Sequence, residues 1–250
     1  MLSKWSFFAS NRLIEITNET DIPNIEKLFN LKHSIKLLPS NSSDIVNYEL
    51  YQYVSTSPDS SVSDFKFFIL NQTQSNIEVP TLIGIFSTDL KSSSIHIESL
   101  LNWFRLLENN SNSPVIWPVM LSDNQLMIDI ADSIVKNKYW ATTKFLFDIQ
   151  DIATTNNNLR TISIEIDNQS CSRLYRNQIV KGKNDNVSAY RDAIIPYIYE
   201  NSGILFDALP IHMINLVNVA RIAKDGLYQV QDKTPSIETL ILLLSHSQIP

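Results

Sequence analysis

The sequence predicts an α+β fold whose strands are largely antiparallel. Short segments rich in β-branched and aromatic residues recur along the chain, with helical periodicity between the later ones. The connections between the first of these segments are too short for helical crossovers, which favours an antiparallel meander. With 250 residues and a hydrophobic fraction of 44%, the chain is long enough for one large domain or two smaller lobes with a core.

The first 108 residues predict one short helix, three strands and a longer helix. The short helix is expected at Asp21–Phe29, capped by its first residue. Apolar alternation between polar loops predicts strands at Val46–Val54, Asp64–Leu70 and Val79–Ser87. Apolar residues every three to four positions then predict a helix at Ser94–Glu108.

The middle of the chain predicts a strand, a helix and another strand. Val115–Met120 is expected to be an edge or bulged strand, because its proline cannot donate to a ladder. Ser122 and Gln125 form a capping-box pattern that opens a helix running to about Val135. Thr142–Ile149 is predicted to be the next strand.

The most linker-like segment is Asp151–Asn158, which is polar and favours turns. We therefore place a boundary there. The sequence predicts an N-terminal α/β lobe, residues 1–150, and a C-terminal α/β lobe, residues 158–250, that ends in a strand.

Within the second lobe, Arg160–Ile166 alternates polar and apolar residues and predicts a strand with its isoleucines facing inward. Asn177–Asn186 is expected to be a polar loop. Ser188–Glu200 favours a helix interrupted by Pro196. Pro210–Ala223 is compatible with a strand or a helix, and its isoleucine, valine and asparagine content favours a strand.

Composition and charge exclude several classes of protein. The net charge of −6 argues against a free-standing nucleic-acid binder. A single cysteine, Cys171, rules out an internal disulfide and gives no sign of an oxidising compartment. The N-terminus does not resemble a signal peptide, and the longest apolar run, Leu240–Leu244, is too short to span a bilayer. We expect a soluble cytosolic or nuclear protein with no membrane partner.

The sequence offers no pattern typical of an enzyme. The four glycines are scattered, so there is no phosphate-binding loop. The histidines are far apart and Cys171 has no neighbour at ligand spacing, so no metal site is predicted. Asp129 and Asp132 lie at helical spacing, and we expect them on a solvated helix face. We predict no catalytic residue, metal or cofactor.

One charge cluster is unusual. Five basic residues with a single acid among them occur within a short stretch, and they are the candidate DNA-facing residues: Arg173, Arg176, Lys181, Lys183 and Arg191. Such a patch can contact a phosphate backbone. The alternative, which the sequence alone favours, is a solvated basic loop.

The second unusual feature is the apolar run near the C-terminus. It is either a buried core strand or an edge strand that pairs with a partner by β-augmentation, and periodicity does not decide between them. The candidate partner-binding residues are Glu238, Leu240, Ile241, Leu242, Leu243 and Leu244.

Five strings taken in order resemble a known family. They are Glu78–Pro80, Val115–Pro118, Ile130–Val135, Ser163–Ile166 and Asp192–Tyr199. Their order and spacing resemble the fungal form of centromere protein L, the smaller subunit of the centromere protein N–L heterodimer. The similarity runs along the whole chain, interrupted by loops.

This resemblance implies a non-enzymatic inner-kinetochore subunit with a curved, largely antiparallel β-sheet flanked by helices. It implies a heterodimer with a centromere protein N homologue, or a homodimer when alone, through a C-terminal strand that corresponds by position to Glu238–Leu244. Other subunits of the centromere-associated network, and the centromeric nucleosome and DNA within the complex, are the further partners implied. The expected place is the nucleus, at the centromere and kinetochore, in chromosome segregation.

Overall fold

The structure is a computed structural model that describes eleven stretches of the chain. They are residues 2–14, 28–36, 45–53, 65–71, 81–88, 93–106, 114–136, 141–149, 161–180, 189–230 and 237–246. The chain divides into two compact units, the first ending at Met120 and the second beginning at Leu121. The sequence boundary at Asp151–Asn158 falls outside the described residues. The units divide earlier because Thr143–Asp148 pairs with strands of the second unit.

The first unit is an antiparallel sheet with one described helix. Its elements are β1 (Leu2–Ser10), β2 (Leu28–Lys36), β3 (Ile45–Tyr53), β4 (Phe65–Asn71), β5 (Thr81–Ser87), α1 (Ser93–Leu106) and β6 (Ile116–Pro118). The strand order is β2–β3–β4–β5–β1, and β6 pairs with the other side of β1. The predicted meander of β3, β4 and β5 is confirmed.

The core of the first unit lies between this sheet and α1. Phe67 and Ile69 of β4 and Ile83 of β5 pack with Leu100 and Phe104 of α1. All five are almost fully buried, and each such side chain stabilises the fold by about 1.5–3 kcal/mol. The helical stripe predicted for α1 is therefore the face that it buries.

The two strands at the start of the chain differ from the sequence expectation. β1 was not predicted, because the buried serines Ser3, Ser6 and Ser10 interrupt its apolar pattern. The helix predicted at Asp21–Phe29 lies mostly outside the described residues, and its last two positions begin β2.

The second unit combines an antiparallel sheet with four described helices. Its elements are α2 (Asn124–Lys136), β7 (Thr143–Asp148), β8 (Thr161–Ile166), α3 (Asn168–Val180), α4 (Ala189–Ser202), β9 (Ile211–Leu216), β10 (Ala220–Ala223), β11 (Gly226–Val230) and α5 (Ile237–His246). The strand order is β11–β10–β9–β7–β8. The predicted strands β7 and β8 are confirmed, as is the α+β class. Pro210–Ala223 contains β9 and β10, so the strand prediction there is also confirmed.

Helix α2 is the centre of the second unit. It packs against α4, α5, β9 and β10, and its side chains from Leu126 to Ile128 and from Ile130 to Val135 are buried. Its N-cap is Asp123, whose carboxylate accepts a hydrogen bond of 2.8 Å from the backbone N–H of Gln125. The cap therefore lies one residue after the predicted Ser122.

Helix α3 was not predicted, because its composition is polar and hides the helical period. Asp167 caps it by accepting a 2.9 Å hydrogen bond from the backbone N–H of Ser170. The loop predicted at Asn177–Asn186 therefore begins inside a helix, and its residues from 181 onward lie outside the described part of the chain.

Helix α4 continues through Pro196, so the predicted interruption is wrong. Proline has no N–H and leaves the carbonyl four residues earlier, that of Asp192, without its helical donor. The side-chain amide of Gln178 on α3 donates a hydrogen bond to this carbonyl at 3.4 Å. The neighbouring helix α3 thus supplies the hydrogen-bond donor that Pro196 lacks. No local sequence pattern could indicate this contact.

Candidate functional site

The terminal apolar run is helix α5, so the prediction of a terminal strand is wrong. Leucine favours helices, and Leu240, Ile241 and Leu244 lie at the spacing of one helical face. All three are fully buried, and α5 packs against α2. A helix buries these three residues together on one face. A strand would instead bury every second residue.

Among the described side chains of the predicted partner-binding set, Glu238 is exposed and Leu243 is partly exposed. Leu242 lies in α5, but its side chain is outside the described set. The buried members hold α5 in the second unit. A partner-binding role for the segment stays a prediction, and it would use Glu238 and Leu243.

The structure separates the members of the predicted basic cluster. Arg173 and Arg176 are exposed on α3, while Lys181 and Lys183 lie outside the described residues. Arg191 lies on α4, where its guanidinium is 3.4 Å from the Asp129 carboxylate and 3.5 Å from that of Asp192. Arg191 is thus part of an ion-pair network, and α3 carries the accessible charge.

The exposed face of α3 lines an open groove. Among the described residues it is lined by Asn168, Gln169, Ser172, Arg173, Arg176 and Asn177. The two arginines are three residues apart and so project from the same side of the helix. Guanidinium and amide groups at this spacing can bind phosphate or carboxylate oxygens.

Beneath α3 and α4 lies a buried cluster of polar side chains. The hydroxyls of Tyr190 and Thr143 are hydrogen-bonded at 2.8 Å, and the Cys171 thiol donates to Thr143 Oγ1 at 3.7 Å and to the Ile166 carbonyl at 3.6 Å. Burial raises the pKa of the Cys171 thiol and raises the pKa of Tyr190 well above its usual value. A protonated thiol is a poor nucleophile, so this cluster supports packing rather than catalysis.

The carboxylate pair on α2 is not on a solvated face, so that expectation is wrong for Asp132. Its side chain is buried and accepts a 3.0 Å hydrogen bond from the backbone N–H of Tyr190. This N–H is in the first turn of α4, where intrahelical acceptors are missing. Asp132 thus caps α4 from another helix, and Asp129 pairs with Arg191 beside it.

The described residues contain no group of three or more His, Cys, Asp or Glu side chains placed to hold a metal ion. None of the helices in the described part of the chain has the length and apolar content that a membrane span requires.

Strand β8 lies at the edge of the second sheet among the described strands. In the part of the chain that the structure describes, β8 pairs with β7 on one side and ends the sheet. Its predicted alternation is confirmed: Ile162 and Ile164 are partly buried, Ile166 is buried, and the residues between them are exposed. Such an edge presents N–H and C=O groups that can pair with another strand.

Comparison with known proteins gives the family. The model of the IML3 family matches residues 1–245. The chain belongs to the IML3 family. Inner kinetochore subunit IML3 of Saccharomyces cerevisiae (strain ATCC 204508 / S288c) is 24% identical over 241 residues, which cover 89% of this chain and 89% of that protein.

Membership of the IML3 family confirms the resemblance at the level of an inner-kinetochore family. It also confirms the predicted place, the nucleus and the centromere, because the relative is an inner kinetochore subunit. Sequence reasoning selected Arg173 and Arg176 but missed the helix that carries them, although Asp167 is a residue type that favours an N-cap. It could not identify β8 as an edge, because strand order is not visible in local patterns.

Proposed function

We propose that this protein is a non-enzymatic structural subunit of the inner kinetochore that heterodimerises with a centromere protein N homologue. In that complex it helps to anchor the centromere-associated network to the centromeric nucleosome and DNA during chromosome segregation. The observation that carries the proposal is the match of the IML3 family model to residues 1–245. The buried Cys171 thiol favours a structural role over a chemical one, as do the two carboxylates of α2, since Asp132 caps α4 and Asp129 pairs with Arg191.

The edge of β8 is the surface that suits this association. A partner strand would form main-chain hydrogen bonds along Thr161–Ile166, which set its direction and register. Side chains on one face, Ile162 and Ile164, would gain burial, while Ser163 and Glu165 would remain near solvent. The same edge would serve a homodimer in the absence of the partner. Glu238 and Leu243 of α5 are the alternative surface.

Neighbouring proline substitutions test the edge. Adjacent residues of an edge strand direct their N–H groups alternately towards the sheet and away from it. Of Ile162→Pro and Ser163→Pro, one therefore removes a bond to β7 and the other removes an outward donor. We expect one variant to keep the wild-type melting temperature and lose the one-to-one complex with the centromere protein N homologue, measured by light scattering on a sizing column.

Leu243→Asp is the comparison for the alternative surface. If this variant loses the complex while the folded proline variant retains it, the partner binds α5 and not the β8 edge. If the wild-type chain and the full-length homologue elute separately at all concentrations, the heterodimer proposal itself is wrong.

Contact with DNA through α3 is a second candidate function. It is supported by the exposure of Arg173 and Arg176 beside a groove that has no acidic lining among the described residues. Because the net charge is −6, such a contact would be one part of a composite surface supplied by the whole complex.

A further inference from the structure

The second sheet has one face that is open to solvent. The inward face is formed by Phe145, Ile214, Ile222 and Leu227, which are fully buried on the side that α2 covers. The outward face has the opposite character: Arg221 is exposed, and Lys144 and Glu165 are 41% and 54% exposed in their side chains. All three of these residues lie in the second unit, and the face that they mark is distinct from the backbone edge of β8.

Strand register aligns the outward side chains into two neighbouring rows. Glu165, Lys144, Asn215, Arg221 and Tyr228 are paired in succession across β8, β7, β9, β10 and β11. The centre of the next row is apolar and partly buried, with Leu146, Met213 and Ala223 in succession. The row ends in the exposed Ser163 on β8 and in Gly226 on β11. A partly exposed apolar row beside a polar row is typical of a surface that binds another protein.

Most charges on this face are already matched. The Lys144 ammonium lies 2.8 Å from the Glu165 carboxylate, and Lys224 lies 3.7 Å from Asp148. Among the described residues, no carboxylate lies within ion-pair distance of Arg221. Of the described cations on this face, Arg221 is therefore the one without an ion-pair partner among the described residues.

Arg221 is also held in place. Its guanidinium carbon is 4.1 Å from the centroid of the Tyr228 ring, which lies directly opposite on β11. The Tyr228 hydroxyl donates a hydrogen bond to the Asp225 carboxylate, which fixes the ring. A stacked guanidinium keeps its planar donors available and loses little conformational freedom when an anion binds.

We propose that this face, centred on Arg221 and Tyr228, docks a protein partner that presents one carboxylate side chain flanked by apolar side chains. Charge complementarity selects this occupant: one unpaired arginine matches one carboxylate, whereas a nucleic-acid backbone needs several cations in a row. Arginine and tyrosine beside an apolar row are also the side chains that most often dominate the binding energy of protein interfaces. The proposal does not depend on the heterodimer.

A peptide array tests the proposal with the full chain. The probes are peptides with a Leu-X-Leu centre in which X is Glu, Gln or Lys, in otherwise randomised neutral sequences. We expect the wild-type chain to retain the Glu peptides about tenfold more strongly than the Gln or Lys peptides. Arg221→Glu should reverse this preference towards Lys, and Arg221→Gln should abolish it.

The matched control is Arg105→Glu, which changes an exposed arginine on α1 of the first unit and should leave the preference unchanged. Circular dichroism confirms that each variant is folded. The proposal is overturned if wild type shows no preference for Glu, or if Arg221→Glu keeps it. Loss of duplex DNA binding by Arg221→Glu, without any peptide preference, would assign the face to nucleic acid instead.

Discussion

At the level of single residues, packing in the first sheet depends on a missing side chain. Gly84 on β5 lies directly opposite Phe68 on β4, and the Phe68 ring occupies the space where a β-carbon of residue 84 would be. Phe68 is fully buried and also lies against Trp5, with ring centroids 5.7 Å apart. The ring cannot move away without disturbing a second aromatic side chain.

Gly84→Ala should therefore destabilise the protein by about 1–3 kcal/mol through overpacking, measured as a lower urea midpoint. Phe68→Leu in the same chain should recover part of this loss, because the added methyl group then has space. The control is Gly203→Ala, whose φ of 71° is unfavourable for alanine but whose β-carbon meets no neighbour. It should cost about 1 kcal/mol, and Phe68→Leu should not relieve it. Equal effects of Phe68→Leu on both glycine variants would refute the steric explanation.

At the level of elements, the sequence predicts those helices and strands in which buried residues recur at a regular spacing. β7 and β8 alternate in sequence because one face of their sheet is buried and the other is exposed. The sequence does not indicate α3, because the exposed face of this helix carries amides and arginines. It indicates a strand at α5, because five adjacent apolar residues fit the period of a strand as well as that of a helix. The Gln178 contact with α4 and the Asp132 cap join distant segments, so local patterns contain no sign of them.

The Asp132 cap gives a prediction for α4. Asp132→Ala should leave the buried N–H of Tyr190 without this acceptor and destabilise the second unit by about 1–3 kcal/mol. Asp132→Asn keeps an oxygen acceptor and should lose less. Asp129→Ala, which removes a partly exposed ion pair, should change the free energy of unfolding by about 1 kcal/mol or less. Thermal unfolding of the three variants ranks them, and an equal loss for Asp129→Ala and Asp132→Ala would contradict the cap.

At the level of the whole molecule, charge decides how this protein could contact DNA. Its 26 acidic residues exceed its 20 basic ones, so long-range attraction to a polyanion is weak and any contact must be local. The ion pairs of Arg191 with Asp129 and Asp192 remove it from the accessible cations. Of the described members of the basic cluster, Arg173 and Arg176 remain, and they project from one helix into an open groove.

The salt dependence of DNA binding tests this assignment in the proposed heterodimer. Each phosphate contact adds about 0.9 to the slope of log K against log salt, so Arg173→Ala combined with Arg176→Ala should lower that slope by about 2. Arg105→Ala, an exposed arginine outside the second unit, should leave the slope unchanged. Because the two substituted side chains are exposed, the melting temperature should stay close to wild type. If the slope of the double variant is unchanged, α3 is a solvated basic face, which is the simpler interpretation of its composition. DNA contact would then belong to other surfaces of the complex.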